Sequence, residues 1–285
     1  MPSRTGRWSA PAGARLAPPR LVATDLDGTL LRSDGTVSER TRAALEAVEA
    51  AGIHTVLVTA RPPRWLDDLE SIVGPRGVVL CGNGAFVYDV PSRKILSDKG
   101  IDPTVVAGVV ADLRRELPGV GFAAERASGF GYEEGYAYLD NPLHGIPPGA
   151  VRGPVEDLVG EPIGKLLGRL PSMPEAAFLE TVVRIVGDRG IVAYSGAGGL
   201  AEISAPGVTK AVALEEWCAG LGVAAAEVWA FGDMPNALPM LTWAGTSFAV
   251  ANAHPDVLAA ADHTCPSNDE DGVAQVLESV PGVRR

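Results

Sequence analysis

The chain has 285 residues, of which 46% are hydrophobic and 21% are charged, and its formal net charge is −11. This composition is typical of a globular protein with a substantial core, and it excludes a disordered or fibrous chain. The chain lacks the long apolar run of a transmembrane helix, and its negative charge argues against a nucleic acid or an anionic membrane surface as a partner.

The first twenty residues are rich in arginine, contain no acidic residue and lack the apolar middle of a secretory signal. We expect residues 1–20 to form a disordered leader, with a transit peptide as the alternative. Cys81, Cys218 and Cys265 are too few and too scattered for a disulfide framework or a Cys-x-x-Cys metal site. This cysteine usage favours a cytoplasmic location.

Strand and helix patterns alternate after the leader and again near the end of the chain. Ser38 is a good N-cap for a helix. The stretch that follows this helix, "IHTVLVTA", is almost continuously apolar, which is typical of a parallel strand buried on both faces. The alternation predicts an α/β fold, with a doubly wound, Rossmann-like parallel sheet built from residues 21–88 and 191–285.

The middle of the chain has a different character. Residues 89–190 combine helix patterns with short aromatic and glycine-rich strands and a connector rich in proline and glycine. We therefore expect residues 89–190 to form a separate α+β module inserted into the parallel-sheet domain.

Two aspartates follow the first predicted strand, in the stretch "LVATDLDGTLL". In an extended segment Asp25 and Asp27 share a face, with α-carbons about 6.6 to 7 Å apart. Like charges so close raise one another's pKa or need a cation between them, and carboxylate oxygens suit Mg²⁺. A simple turn at Asp27-Gly28 is the alternative, and it explains Gly28 but not Asp25.

The aspartates belong to the first of four motifs. "DLDGT", "VLVTAR", "GVTKAVAL" and "AFGDMPNALPML" occur in this order, and the chain resembles the haloacid dehalogenase-like (HAD) phosphatases in all four. "CGNGA", "AVANAHP" and "SNDEDGVA" resemble the Cof-type branch of that family. The resemblance implies a HAD core with a cap domain inserted after the third strand.

The resemblance also implies roles for individual residues. Asp25 would be the nucleophile that forms an aspartyl phosphate, and Asp27 the general acid and base. Thr59 would hydrogen-bond a phosphoryl oxygen, and Lys210 would neutralise charge. Mg²⁺ would be held by Asp25, by Asp233 and by Asp27 through its backbone carbonyl. Further candidates for binding the substrate or its phosphate are Gly28, Thr29, Arg61, Asn83, Gly84 and Asn236. For Arg61, a surface salt bridge is the alternative.

One position departs from the family pattern, because Ala237 stands where the fourth motif usually has an aspartate. We expect a Mg²⁺-dependent phosphatase of small phosphorylated metabolites, such as sugar phosphates or nucleotides, with a raised metal requirement. A phosphomannomutase-like phosphotransferase is one alternative. A catalytically weakened member that binds a phosphorylated ligand or a partner is the other. The oligomeric state is open between a monomer and a homodimer.

Two further features carry less weight. "GEPIGKLL" imitates a phosphate-binding loop, but its spacing is wrong and no Ser or Thr follows Lys165, so we do not interpret it as one. Among the histidines, His144 is the one we would test for contact with substrate.

Overall fold

The computed structural model describes residues 16–66, 69, 72, 77–136, 146–158, 160–193 and 199–283. These residues form one eight-stranded and one six-stranded sheet, with helices packed against both. Across the described ranges, no helix has the length and apolar character that crossing a membrane requires.

The strands, in chain order, are β1 (Leu21–Thr24), β2 (His54–Val58), β3 (Val78–Cys81), β4 (Phe86–Asp89), β5 (Lys94–Asp98), β6 (Gly121–Arg126), β7 (Gly129–Tyr132), β8 (Val151–Arg152), β9 (Ile163–Arg169), β10 (Ile191–Ala193), β11 (Leu200–Ser204), β12 (Val228–Gly232), β13 (Thr246–Val250) and β14 (His263–Cys265). The helices are α1 (Glu39–Ala50), α2 (Pro103–Glu116), α3 (Glu175–Val186), α4 (Lys210–Leu221), α5 (Leu238–Trp243), α6 (Pro255–Ala260) and α7 (Gly272–Leu277).

The larger sheet is the core of the α/β fold. Its strand order is β14-β13-β12-β1-β2-β3-β4-β5, and all neighbours from β14 to β3 are parallel. All four residues of β1 are buried, as expected for a strand between two parallel neighbours and under helices. The predicted α/β fold with a parallel, Rossmann-like core is confirmed. Because the carboxyl ends of β1, β2 and β12 meet at one edge, the loops that leave these strands are brought together.

The smaller sheet, with order β10-β11-β9-β6-β7-β8, has helices α2 and α3 against it. Side chains from β6, β9 and β11, including Phe122, Leu166 and Ile203, pack with apolar residues of the two helices, including Val110 and Phe178. Alternate residues of the same strands face away from these helices. We call this sheet with its two helices the cap, and the larger sheet with its helices the core.

The boundaries predicted for the inserted module, 89–190, need correction. Strand β5 pairs with β4 in the larger sheet, so the core continues to Asp98. The hairpin of β10 and β11, predicted to lie in the core, pairs with β9 and belongs to the cap. A hairpin's periodicity shows that its two strands pair, but it does not show which sheet they join.

The prediction of a disordered leader is wrong for residues 16–20. Residues 1–15 lie outside the described residues, but the chain is already packed from Leu16, which contacts the core cluster. Pro19 is buried. The N–H of Arg20 donates to the Glu227 carbonyl at 2.8 Å, and the Arg20 carbonyl accepts from the N–H of His54 at 2.9 Å. The main chain before β1 thus extends its pairing on both sides.

Candidate active site

Asp25 is the first residue after β1, and its carboxyl group is fixed from two sides. The N–H of Leu26 donates to Oδ1 at 2.8 Å, and the buried ammonium of Lys210 donates to Oδ2. Only 5% of Asp25 and 1% of Lys210 is exposed. Burial raises the pKa of Asp25, and Lys210 opposes that rise. The arrangement gives one oriented carboxyl group beside one cation in a site shielded from water.

Lys210 reaches this position because it begins helix α4. Thr209 is the N-cap of that helix, and its Oγ1 accepts from the N–H of Val212 at 3.2 Å. The glycine-rich turn after β3, residues 82–84, packs against the same end of the helix. A Cβ on Gly84 would lie only 2.5 Å from the Thr209 carbonyl oxygen. Gly84, predicted to bind substrate, thus brings the turn after β3 against the helix that carries Lys210.

Asp233 follows β12 and lies against the turn after Asp25. Thr29 Oγ1 donates to Asp233 Oδ1 at 3.1 Å, and Gly28 turns the chain with φ = +70° beside the same carboxyl group. Burial raises the pKa of Asp233 to about 7, and the negative charge of Asp25 adds to the rise. Asp25 and Asp233 are therefore electrostatic neighbours that cannot both ionise without cost unless positive charge accompanies them.

The side chain of Asp27 is exposed and pairs with Arg61, unlike the buried carboxyl groups of Asp25 and Asp233. The Asp27 side chain is 57% exposed, and it accepts two hydrogen bonds from the Arg61 guanidinium, from Nε at 2.9 Å and from the second nitrogen at 2.6 Å. Asp25 is buried at the floor of the site, whereas Asp27 lies at its exposed rim, and the charge of Asp27 still raises the pKa of both Asp25 and Asp233. The two carboxyl groups are therefore electrostatic neighbours with different partners, Lys210 for Asp25 and Arg61 for Asp27.

Thr59 directly follows β2 and is wholly buried. Its Oγ1 accepts from the N–H of Arg61 at 3.0 Å, and its carbonyl accepts from the N–H of Asn83 at 3.0 Å. Asn83 has φ = +59°, and its Oδ1 accepts from Asn236 Nδ2 at 3.2 Å. The structure therefore joins Thr59, Asn83 and Asn236 in one chain of hydrogen bonds, in which Thr59 and Asn83 are buried and Asn236 is half-buried.

The donor set suits a hard divalent cation. Within the described residues, no three His, Cys, Asp or Glu side chains lie close enough together to hold a metal ion. Two buried carboxyl groups, Asp25 and Asp233, carry more negative charge than Lys210 offsets. Asn236 Oδ1 is buried without a hydrogen-bond donor in the described structure. A cation held by the two carboxyl groups and a main-chain oxygen of Asp27 fits this surplus of acceptors.

Sequence reasoning missed several residues that shape the site. Asn252 Nδ2 donates to the Gly28 carbonyl at 2.8 Å, and its Oδ1 accepts from the N–H of Asn268 at 3.0 Å. Asn252 lies in "AVANAHP" and Asn268 in "SNDEDGVA". The sequence motifs therefore contained both residues, but they did not predict that the two residues contact each other. Two buried cap residues, Lys165 and Glu202, were also missed. His144 lies outside the described residues.

Comparison with known proteins identifies the family. Residues 22–277 match the model of the haloacid dehalogenase-like hydrolases. The chain is 29% identical to YxeH of Bacillus subtilis, covering 92% of this chain and 98% of YxeH. It is 27% identical to the 5-amino-6-(5-phospho-D-ribitylamino)uracil phosphatase YitU of the same organism, covering 91% and 97%. The crystal structure of SMU.1108c from Streptococcus mutans has a similar fold, with a TM-score of 0.78 at 23% identity over 91% and 98%. The chain belongs to the haloacid dehalogenase-like hydrolase family.

Proposed function

We propose that this protein is a Mg²⁺-dependent phosphatase that hydrolyses small phosphorylated metabolites through an aspartyl phosphate on Asp25. The observation that carries the proposal is the buried arrangement of Asp25 between Lys210 and Asp233. Covalent catalysis by a carboxylate needs an oriented nucleophile and positive charge to offset its repulsion from the phosphate.

Each reacting group has a role in two displacements. Asp25 attacks phosphorus, the bond from phosphorus to the leaving oxygen breaks, and protonated Asp27 donates its proton to that oxygen. Water then attacks the aspartyl phosphate, Asp27 takes a proton from the water, and phosphate and free Asp25 result. We assign Asp27 to the leaving-group side of the site, and its exposed position at the rim supports this assignment. Arg61 holds both Asp27 oxygens, so substrate phosphate would compete with Asp27 for Arg61.

Positive charge and donors surround the transferred phosphoryl group. Asp25, Asp233 and the Asp27 carbonyl would hold Mg²⁺, which neutralises charge on the phosphoryl oxygens when it is bound. Lys210 supplies a fixed cation at the nucleophile. The hydroxyl hydrogen of Thr59 and the N–H groups that follow the first motif, at Gly28 and Thr29, are the donors we assign to the phosphoryl oxygens. This local set explains how a chain of net charge −11 could bind an anion.

The substrate class follows from the family and its cap. YitU is named for a phosphorylated ribitylamino-uracil, and a cap over the carboxyl edge of the core would enclose the organic part of such a small metabolite.

The described cysteines, Cys81, Cys218 and Cys265, are free and buried, which supports a reducing, cytoplasmic setting.

The experiment is a screen of phosphate release from sugar phosphates, nucleotides and phosphorylated cofactors, at millimolar Mg²⁺ and in EDTA. We expect turnover of at least one compound that requires Mg²⁺ and is abolished in Asp25→Asn. Absence of turnover across the panel would favour the weakened, ligand-binding alternative. Ala237 is the observation behind that alternative, because its buried methyl group supplies no metal ligand.

A further inference from the structure

A buried ion pair in the cap has no role in the chemistry described above. Lys165 on β9 and Glu202 on β11 pair at 2.5 Å, and each side chain is only 4% exposed. Both residues lie on the side of the sheet that faces away from helices α2 and α3, and both contact the core. Lys165 is the lysine of the sequence that imitates a phosphate-binding loop.

Lys165 reaches the loop that leaves β2. Its Nζ donates to the carbonyl oxygen of Ala60 at 2.8 Å. Ala60 lies between Thr59, assigned above to the phosphoryl group, and Arg61, which holds Asp27. A cap lysine therefore fixes the peptide that joins these two side chains.

Glu202 reaches the turn that leaves β3. Its Oε2 accepts from Asn83 Nδ2 at 2.9 Å. The other end of the Asn83 amide accepts from Asn236, three residues after Asp233. A cap glutamate is thus connected to the loop of the candidate metal ligand through two side-chain amides.

Stability alone does not account for this pair. Removing two charges from water costs several kcal/mol, and apolar residues of similar size in place of a buried ion pair often leave stability unchanged or raise it. The same face of the cap sheet already carries Leu167, beside an apolar cluster with Ala123 and Phe130. An apolar pair would pack beside this cluster but would leave the Ala60 carbonyl and the Asn83 amide without their cap partners, so the charged pair serves these two contacts with the core.

We propose that Lys165 and Glu202 are positioning residues for phosphoryl transfer. Because the two residues pair with each other, one contact of the cap orients two loops of the site. Lys165 orients the Thr59–Arg61 loop, and Glu202 orients Asn83 and Asn236. The proposal rests on the proposed phosphatase function and extends it, because it makes these two cap strands part of the reaction geometry.

The test compares two buried cap glutamates. Glu125 on β6 is 5% exposed at its side chain and pairs with Arg64 of the core, but it contacts neither Ala60 nor Asn83 in the described interactions. Glu125→Gln is therefore a matched control for Glu202→Gln. With p-nitrophenyl phosphate at saturating Mg²⁺, we expect Glu202→Gln and Lys165→Met to lower kcat by about 20-fold or more, with KM within about threefold. Glu125→Gln should keep kcat within about threefold.

The double variant Lys165→Met with Glu202→Met separates positioning from stability. We expect its Tm to lie closer to that of the wild type than the Tm of either single variant, which leaves one buried charge unpaired, while kcat stays as low as in the single variants. Wild-type kcat in the double variant would overturn the proposal, as would an equal loss of kcat in Glu125→Gln.

A second measurement does not depend on turnover. Amide hydrogen exchange in peptides covering residues 57–62 and 80–86, which exclude Arg64, the partner of Glu125, should accelerate in the double variant and stay unchanged in Glu125→Gln. If the wild type hydrolyses no phosphate ester, the proposed function fails and this measurement still decides the positioning role. Unchanged exchange in the double variant would refute it.

Discussion

Gly28 and Asp233 lie so close that a Cβ on residue 28 would be 2.2 Å from Asp233 Oδ2. Gly28 also has φ = +70°, a conformation that L residues adopt at a cost of about 1–2 kcal/mol. The "DGT" of the first motif therefore needs its glycine for two separate reasons, backbone conformation and close approach to the second carboxyl group.

We predict that Gly28→Ala lowers kcat by about 100-fold or more, because the added methyl group must displace the Asp233 carboxyl group or the turn. Gly35→Ala is the matched control. Gly35 has φ = +80°, but a Cβ on this residue would meet nothing within 4 Å. Gly35→Ala should lower the free energy of unfolding by about 1 kcal/mol and leave kcat unchanged. Equal kcat in the two variants would show that the contact with Asp233 does not matter.

The ion pair between Lys210 and Asp25 predicts a loss of both activity and stability. Lys210→Met leaves a buried carboxyl group without its cation, which costs about 3–5 kcal/mol of unfolding free energy at neutral pH in comparable cases. We expect turnover to become undetectable as well. Denaturant unfolding in EDTA measures the stability term without any contribution from metal.

An exposed ion pair serves as the control for that experiment. Lys99 pairs with Glu216, and their side chains are 33% and 57% exposed. Lys99→Met should cost less than about 1 kcal/mol and should not change kcat. If Lys210→Met were no more destabilising than Lys99→Met, the buried pair would contribute no more to stability than an exposed pair.

The raised pKa of Asp233 predicts a pH-dependent stability in metal-free protein. Its pKa is about 7 in the folded state against 3.8 as the ordinary value, so between these pH values the folded state binds more protons than the unfolded state. The free energy of unfolding therefore falls as pH rises through this window. Asp233→Asn removes that loss, and its stability advantage over the wild type should grow by about 2 kcal/mol from pH 5 to pH 8.

Urea unfolding in EDTA at the two pH values measures this advantage. An advantage that is equal at pH 5 and pH 8 would contradict the raised pKa. Millimolar Mg²⁺ at pH 8 should raise the Tm of the wild type, because it binds the folded state, and should have little effect on the Tm of Asp233→Asn.

Sequence motifs located the floor of the site because its residues follow parallel strands. Asp25 follows β1 and Asp233 follows β12, and neighbouring parallel strands bring their carboxyl ends to one edge. The direction of the Asp27 side chain was not predictable in this way. It depends on Arg61, which approaches from the loop after a different strand.

The contact between Lys165 and Glu202 could not be predicted from the sequence for a related reason. Lys165 and Glu202 are separated along the chain, and their contact depends on the pairing of β9 with β11. Local periodicity predicts that strands exist, but their partners depend on long-range register. The same limit placed the hairpin of β10 and β11 in the wrong sheet.

The alanine of the fourth motif predicts a weakened affinity for Mg²⁺. Ala237 is wholly buried, and a Cβ on Gly232 would lie 2.7 Å from its methyl group, so this part of the loop is tightly packed. An aspartate here would add a carboxyl group in the loop that carries Asp233 and Asn236, and extra negative charge favours a divalent cation. We expect Ala237→Asp to lower the Mg²⁺ concentration for half-maximal turnover by about tenfold.

Ala237→Asn has nearly the same shape without the charge, so it carries the same packing cost and should not lower that concentration. Magnesium titrations of turnover in the three proteins measure the effect. A similar shift in both variants would trace it to repacking of the loop, and no shift in either would mean that the missing acid does not limit metal binding.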